Sequence, residues 1–235
     1  SYTNVLNMLD LGGIPIRSKD RGPDDPLVIA GGPSAFNPVP MASFIDAFVI
    51  GEGEEAVVEI AAAVAAEKEK TKRREGLLEA LAAIPGVYVP ALHNRGAVTV
   101  RKRVVADLNR WTLPCRPVVP LMKTIHDRIS LEIARGCTRG CRFCQAGMVW
   151  RPLRERRTDV LERMADGMVN ATGYEEISLL SLSSGDFNGI GTLLSTLMDR
   201  YYERRIALAL PSLRVETLKK ELMDAIRRVR KTSFT

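Results

Sequence analysis

The chain has 235 residues, 46% hydrophobic and 26% charged, a composition typical of globular proteins and not of disordered or fibrous ones. This length allows one large domain or two of ordinary size. No apolar run approaches the about 18 residues of a membrane helix, and no secretory leader is recognisable, so we expect a cytoplasmic protein without a membrane partner. Because the sequence starts at Ser1 and stops at Thr235 within what reads as the opening of a strand, we also expect a fragment.

The net charge of +6 is distributed unevenly along the chain. Residues 131–235 carry 18 basic and 13 acidic residues, whereas residues 1–130 are nearly balanced with 16 and 15. Seven arginines fall between Arg135 and Arg157. Such a cluster can bind nucleic-acid phosphates, but arginines beside any bound anionic group would balance its charge equally well. The basic cluster alone therefore does not predict an RNA substrate.

The first part of the chain alternates short apolar runs, glycine turns and helical patterns. Residues 2–16 predict the end of a helix followed by a turn at Gly12-Gly13. Buried strands are then predicted at 26–30 and 45–50, and helices at 54–72 and 75–83. This alternation is typical of a doubly wound parallel sheet. We therefore predict a small Rossmann-like α/β domain.

From residue 85 the apolar residues alternate with period two around Asn94-Arg95-Gly96, which predicts a β-hairpin with His93 in its loop. Residues 106–127 contain three prolines, so they are predicted to be a linker between domains. Cys115 lies in this linker, where we expect a packed thiol. The predicted domains are residues 1–105 and 128–235.

The stretch EIARGCTRGCRFC, residues 132–144, directly follows an alternating apolar strand at 129–133. Its cysteines, Cys137, Cys141 and Cys144, have the spacing Cys-x3-Cys-x2-Cys. A [4Fe–4S] cluster is usually held by four thiolates, so three thiolates leave one iron open to a small chelating ligand. Small residues between the cysteines allow a short loop to wrap around such a cluster. The spacing therefore predicts an open iron–sulfur site.

Other interpretations of the three cysteines remain. With His126 or Cys115 they could form a structural zinc site, although such sites usually consist of two separated ligand pairs. A disulfide is a further alternative, but nothing in the sequence suggests secretion. The site could also belong to a non-catalytic module for electron transfer or protein interaction, although an electron carrier would normally supply four protein ligands to its cluster.

The run from Glu132 to Cys144, including the aromatic Phe143 before the third cysteine, closely resembles the signature of the radical S-adenosylmethionine (SAM) enzymes. The resemblance implies that the three cysteines bind a [4Fe–4S] cluster, whose open iron takes the amino and carboxyl groups of SAM, and that Phe143 lies at the cofactor. It also implies reductive cleavage of SAM to a 5′-deoxyadenosyl radical, with an electron donor such as a flavodoxin or ferredoxin. The substrate is not implied.

After the cysteine loop, strands and helices alternate regularly. Helices are predicted at 158–171, 189–204 and 215–229, and strands at 176–182 and 206–210. Thr158-Asp159 reads as an amino-terminal cap of the first helix and Gly173 as its end. Repeated βα units imply a parallel sheet with the active site at the carboxyl ends of its strands. The predicted fold class is therefore α/β, a partial (β/α) radical SAM barrel preceded by the smaller Rossmann-like domain.

Two strand ends in this region resemble cofactor-contacting elements of the family. Ser184-Gly185-Asp186 is similar to a Gly-Gly-Glu element, which implies that Asp186 receives the ammonium group of SAM; the alternative is a helix-capping Asp. Ser212 and Arg214 follow the next strand, and similar residues in the family contact cofactor or substrate.

The glycine turns at Gly31-Gly32 and Gly51–Glu54 resemble the cobalamin-binding-like domain that precedes the barrel in one branch of the family. Cobalamin is therefore a further candidate cofactor, and it would make methyl transfer the reaction. No Asp-x-His-x-x-Gly motif is present, however, so a half-domain that binds nothing is the alternative. The protein could alternatively be a methylthiotransferase that modifies tRNA or protein. Such enzymes carry an additional cysteine-bearing domain, however, and residues 1–114 contain no cysteine.

Overall fold

The structure is a computed structural model that describes residues 2–70, 73–93, 99–111, 113–122, 124–217 and 220–229. The chain divides into two compact units, Ser1–Val105 and Ala106–Thr235. Within the described ranges, every helix is too short or too polar to cross a membrane.

The first unit contains a three-stranded sheet with helices beside it. Strand β1 (Ile29–Ala30) pairs parallel with β2 (Ala47–Val49), and β2 pairs antiparallel with β3 (Val87–Tyr88). The helices described in this unit are α1 (Tyr2–Leu11), α2 (Glu54–Lys70), α3 (Arg74–Ala82) and α4 (Pro90–His93). The α/β class is confirmed, but the expected all-parallel pairing is wrong here, because β3 runs against β2.

The predicted β-hairpin after residue 85 is also wrong in its pairing. Strand β3 pairs with β2 and does not form one arm of a hairpin. His93 is the last residue of α4, and its Nδ1 accepts a hydrogen bond from Val89 N at 2.9 Å. Arg103 instead forms an isolated bridge with Gly51. Gly51 has φ +113°, and a Cβ there would lie 2.7 Å from Arg103 N, so this close approach requires glycine. The predicted turn at 94–96 lies outside the described residues.

The second unit begins around the cysteines and continues as regular βα units. The elements around the cysteine loop are β4 (Ile129–Glu132), β5 (Ala134–Arg135), α5 (Ala146–Val149) and β6 (Arg154–Glu155). The following elements are α6 (Thr158–Thr172), β7 (Glu176–Leu180), α7 (Ile190–Tyr201), β8 (Ala207–Ala209) and α8 (Lys220–Arg227). Strands β4, β7 and β8 form a parallel sheet in that order, so the predicted parallel sheet of this unit is confirmed.

Helix α6 shows why these residues adopt this arrangement. Its buried residues recur at helical spacing and form one apolar face against the sheet: Val160, Leu161, Met164, Ala165, Met168 and Val169. The helix ends at Gly173 with φ +69°, as predicted. The predicted cap is wrong, however, since Arg157 occupies the cap position without a side-chain bond and Asp159 pairs with Arg157 and Arg163.

The first residues of the predicted linker 106–127 are attached to the second unit. Leu108–Arg110 forms a turn of 3-10 helix, and Leu108 is buried. The buried Arg156 guanidinium donates to the carbonyl oxygens of Leu108 and Trp111. The prediction of a packed thiol at Cys115 is wrong, because this residue is exposed, although its Cβ would be 3.0 Å from a Cβ placed on Gly167 of α6.

Candidate functional site

The cysteine loop is closed at its base by a two-stranded antiparallel pair. Ala134 lies opposite Glu155, and Arg135 lies opposite Arg154, so the chain entering the loop runs beside the chain leaving it. Gly136 follows β5 with φ +91°. A Cβ on Gly136 would lie 2.6 Å from the carbonyl oxygen of Trp150 and closer still to that of Pro152. The loop can close only because residue 136 has no side chain.

A carboxylate at the end of β4 holds the two sides of this base together. Glu132 accepts two hydrogen bonds from Arg135, each at 3.0 Å, and one from Arg156 at 3.1 Å. Arg156 also donates to the carbonyl oxygen of Glu132 at 3.0 Å. Burial raises the pKa of the Glu132 carboxyl, but the bonds from the two arginines outweigh it, so the pKa lies below its ordinary value. Glu132 is therefore a stable anion that anchors β6 to β4.

Among the residues that the structure describes, each of the three cysteine sulfurs accepts an N–H hydrogen bond. The donors are Arg139 N to Cys137 at 3.4 Å, Gly147 N to Cys144 at 3.4 Å, and Arg214 Nη1 to Cys141 at 3.3 Å. All three cysteines are partly buried. N–H donors to sulfur stabilise the negative charge of a thiolate, which is the form that binds metal. The donor set therefore fits three thiolate ligands.

Within the described residues, no three His, Cys, Asp or Glu side chains converge on a point that could hold one metal ion. An iron–sulfur cubane makes a different demand, because each thiolate binds its own iron. Three separated sulfurs on one loop are compatible with such a cluster. Phe143, between Cys141 and Cys144, is 91% exposed, so the structure places the predicted aromatic residue on the solvent side of the loop.

Asp186 lies at the end of β7, in the turn Ser184–Asp186, and binds the cysteine loop directly. Its carboxylate accepts hydrogen bonds from Arg139 Nε at 2.8 Å and Nη2 at 2.5 Å, and from Ser183 Oγ at 2.7 Å. These bonds, with that of Arg139 contributing most, lower the pKa of Asp186 to about 2. Cys137 and Asp186 line the same crevice beside β5. The structure thus brings the predicted acid to the cysteines, paired with an arginine.

The neighbouring residues of that turn make contacts within the protein. The Ser184 hydroxyl is buried and donates to the carbonyl oxygen of Leu179 at 3.1 Å. A Cβ on Gly185 would lie 2.5 Å from Cβ of Thr217, so glycine is required for the turn after β7 to pack on the turn after β8. These contacts hold Ser184 and Gly185 in packing positions, and their binding of a cofactor stays a prediction.

The segment after β8 supplies a second arginine to the site. Ser212 is exposed and has φ +60°, an unusual value for a residue other than glycine. Arg214 donates to Cys141 and also, through Nε, to Glu216 Oε1 at 2.6 Å. Glu216 in turn lies 3.9 Å from Arg139 Nη1. The turns after β7 and β8 are therefore linked to the cysteine loop through charged side chains.

Comparisons with known families agree with this geometry. A family model described as the N-terminal region of radical SAM proteins matches residues 1–90, and the radical SAM superfamily model matches residues 131–235. Residues 131–235 belong to the radical SAM superfamily.

The curated relatives of this radical SAM chain include an uncharacterised protein of Methanocaldococcus jannaschii. It is 29% identical over 202 residues, which cover 86% of this chain and 40% of that protein. The chain therefore spans less than half the length of this relative.

Similar solved structures come from TsrM of Kitasatospora setae, a radical SAM methyltransferase. One, with cobalamin and a [4Fe–4S] cluster bound, has a TM-score of 0.58 at 18% identity and covers 88% of this chain and 40% of TsrM. Another, with tryptophan and a SAM analogue bound, has a TM-score of 0.56 at 18% identity and covers 86% and 39%. At this identity the similarity shows a shared fold, and the predicted radical SAM fold is confirmed.

Sequence reasoning missed Arg139, which joins the cysteine loop to Asp186 in this site. The sequence showed Arg139 only as one of seven arginines near the cysteines, and its pairing with Asp186, 47 residues away, was not predicted. Its position inside the cysteine motif was the available signal, but its partner could not be read from spacing. Glu216 was missed for the same reason.

Proposed function

We propose that this chain is part of a radical SAM enzyme in which Cys137, Cys141 and Cys144 hold a [4Fe–4S] cluster. The observation that carries the proposal is the N–H donor present at each cysteine sulfur, on a loop beside the carboxyl ends of parallel strands. In α/β folds ligands bind at such strand ends. When both are bound, the chemistry supplied is one-electron cleavage of SAM by the reduced cluster, followed by abstraction of a hydrogen atom from a substrate. An electron donor such as a flavodoxin or ferredoxin would reduce the cluster.

The protein's own contribution is to place and orient these groups. The β5–β6 pair fixes the base of the cysteine loop, and the pair of Arg139 with Asp186 ties the loop to β7. In this proposal Phe143, Ser212 and the backbone near Ser184 and Gly185 contact SAM. The Arg214 guanidinium places positive charge beside the Cys141 thiolate.

Asp186 receives the ammonium group of SAM in this proposal. Because its carboxylate is ionised down to about pH 2 and already binds a cation, Arg139, it can accept an ammonium group in exchange. Arg139 is 40% exposed at its side chain, so it can turn towards solvent when it is displaced. The competition between Arg139 and the ligand is testable.

Asp186→Asn is expected to weaken SAM binding by about tenfold or more, since a hydrogen bond to a charged group contributes roughly 1.5–3 kcal/mol. Arg139→Gln is the matched variant, and it should leave SAM binding equal or tighter because it frees the same carboxylate. Spectroscopic titration of the reconstituted cluster with SAM measures both dissociation constants, and iron analysis measures cluster content. If the two variants lose iron equally and bind SAM equally, the ion pair only anchors the loop.

Methyl transfer is the second candidate reaction. It is favoured by the similarity to a cobalamin-containing methyltransferase and by the glycine turn after β1, where Gly32 has φ +85° and open space around its Cβ position. In this version the unit Ser1–Val105 is the cobalamin-binding-like domain and cobalamin lies at the ends of β1 and β2. The unit Ala106–Thr235 carries the partial radical SAM barrel in both versions.

Anaerobic reconstitution of the purified protein with iron, sulfide, cobalamin and SAM distinguishes these reactions. Formation of 5′-deoxyadenosine after reduction supports radical chemistry, whereas S-adenosylhomocysteine together with bound cobalamin supports methyl transfer. A protein that binds four-iron clusters but never consumes SAM would instead favour the electron-transfer module. A protein that binds zinc and no cluster would overturn the proposal.

A further inference from the structure

The three sulfur donors are not equivalent. Those of Cys137 and Cys144 are backbone N–H groups two and three residues further along the same loop. The donor to Cys141 is a side chain, Arg214, which is 73 residues away in sequence and follows β8. It is also the only one of the three that carries a formal charge. Charge-assisted hydrogen bonds are roughly twice as strong as neutral ones.

Arg214 is held in position from both sides. Its Nε donates to Glu216 Oε1 at 2.6 Å, which leaves Nη1 directed at Cys141. Its backbone is fixed by Thr217, whose hydroxyl donates to the carbonyl oxygen of Arg214 at 2.8 Å and lies 3.3 Å from Arg214 N. Thr217 in turn packs on Gly185. The guanidinium is therefore pre-oriented towards the sulfur by contacts within its own turn.

We infer that Arg214 is a positioning residue that sets the reduction potential of the cluster by donating a hydrogen bond to the Cys141 thiolate. This inference rests on the proposed function, in which Cys141 binds the cluster. The reduced cluster carries one more electron than the oxidised one, so an N–H donor to a ligand sulfur stabilises the reduced state more strongly and raises the potential. Loss of the donor lowers the potential.

The contribution of the hydrogen bond can be separated from that of charge alone. Arg142 follows Cys141 directly, is exposed, and has no hydrogen bond or ion pair among the described residues. Its neutralisation removes one positive charge from the residue next to Cys141, as Arg214→Gln removes one from the other side of the same cysteine's contacts, but it removes no donor to sulfur. Because exposed charges are screened by solvent and salt, we expect this change to have little effect. Arg142→Gln is therefore the matched control for Arg214→Gln.

The test is a redox titration of the reconstituted wild-type protein and three variants, Arg214→Gln, Arg214→Lys and Arg142→Gln, followed by the absorbance or electron paramagnetic resonance of the cluster. In Arg214→Gln the reduction equilibrium should become about tenfold less favourable, a fall of about 59 mV for one electron. Arg214→Lys keeps the charge but lacks the planar fork that binds Glu216 and Cys141 together, so a smaller fall is expected. Arg142→Gln should match the wild type.

Equal potentials in all four proteins would overturn the inference, as would equal shifts in Arg214→Gln and Arg142→Gln, which would reduce the effect to net charge. If Arg214→Gln does not retain its cluster, Arg214→Lys decides, and a wild-type potential in that variant would count against the role of Arg214. Failure of the wild-type protein itself to bind a cluster would overturn the proposed function, and the inference with it. Normal clusters with unchanged potentials would overturn the inference alone.

Discussion

Replacement of Cys137, Cys141 or Cys144 by Ala is expected to abolish cluster binding, whereas Cys115→Ala is expected to leave it intact. Each of the three motif sulfurs accepts an N–H donor and lies on the closed loop. A cluster that already depends on three protein thiolates loses a third of its protein ligands with any one of them. Cys115 is exposed beside Gly167 of α6, and its sulfur has no such donor among the described residues.

Iron and acid-labile sulfide analysis of the four variants after anaerobic reconstitution measures this result, together with the visible absorbance of the cluster. Circular dichroism of the apo proteins shows whether each variant is folded. Full cluster occupancy in Cys141→Ala would remove the basis of the proposed function. Loss of the cluster in Cys115→Ala would mean that the linker supplies a ligand, as in the zinc alternative.

Gly136→Ala is expected to lower the free energy of unfolding by about 2–4 kcal/mol, because it combines a strained backbone with an overpacked contact. The residue has φ +91°, and a Cβ would collide with the carbonyl oxygens of Trp150 and Pro152. Both oxygens belong to backbone, so the collision cannot be relieved by turning a side chain. The base of the loop must open, and cluster retention should fall as well.

Gly140→Ala is the matched control for this change. It lies in the same loop, between the first and second cysteines, and nothing is within 4 Å of the position where its Cβ would lie. Urea unfolding of both apo variants gives the difference in free energy, and iron analysis gives cluster retention. Similar stability of the two variants would show that the close approach at Gly136 is not needed for folding.

The parts of the fold that could be predicted from the sequence are those with a clear local pattern. The buried face of α6 and its termination at Gly173 follow from helical spacing and a glycine, and the cysteine motif gave the position of the site. Such signals involve residues close in sequence. They place each element but do not specify its neighbours.

The features that the sequence did not predict depend on contacts between residues far apart in sequence. Strand β3 pairs with β2 and not within the predicted hairpin. The alternation of Val87 and Val89 predicts a strand, but it does not indicate which strand pairs with it. Strands β5 and β6 have two residues each, too few for a periodic pattern. The pair of Arg139 with Asp186 joins two loops whose proximity results from the parallel order of β4 and β7. Only the tertiary structure brings these groups together.

The closed base of the cysteine loop also affects how a cofactor could be assembled in this protein. The loop between β5 and β6, residues 136–153, has 18 residues whose ends are joined by backbone pairing and not by metal. Closing a flexible loop of this length costs about 2.6 kcal/mol of chain entropy in its length-dependent part. Because the loop is already closed when the polypeptide has folded, iron and sulfide would bind to a preorganised loop. Their binding free energy would then not be reduced by the entropy loss of closing the loop. Small zinc-dependent domains differ, since in those the metal itself drives folding.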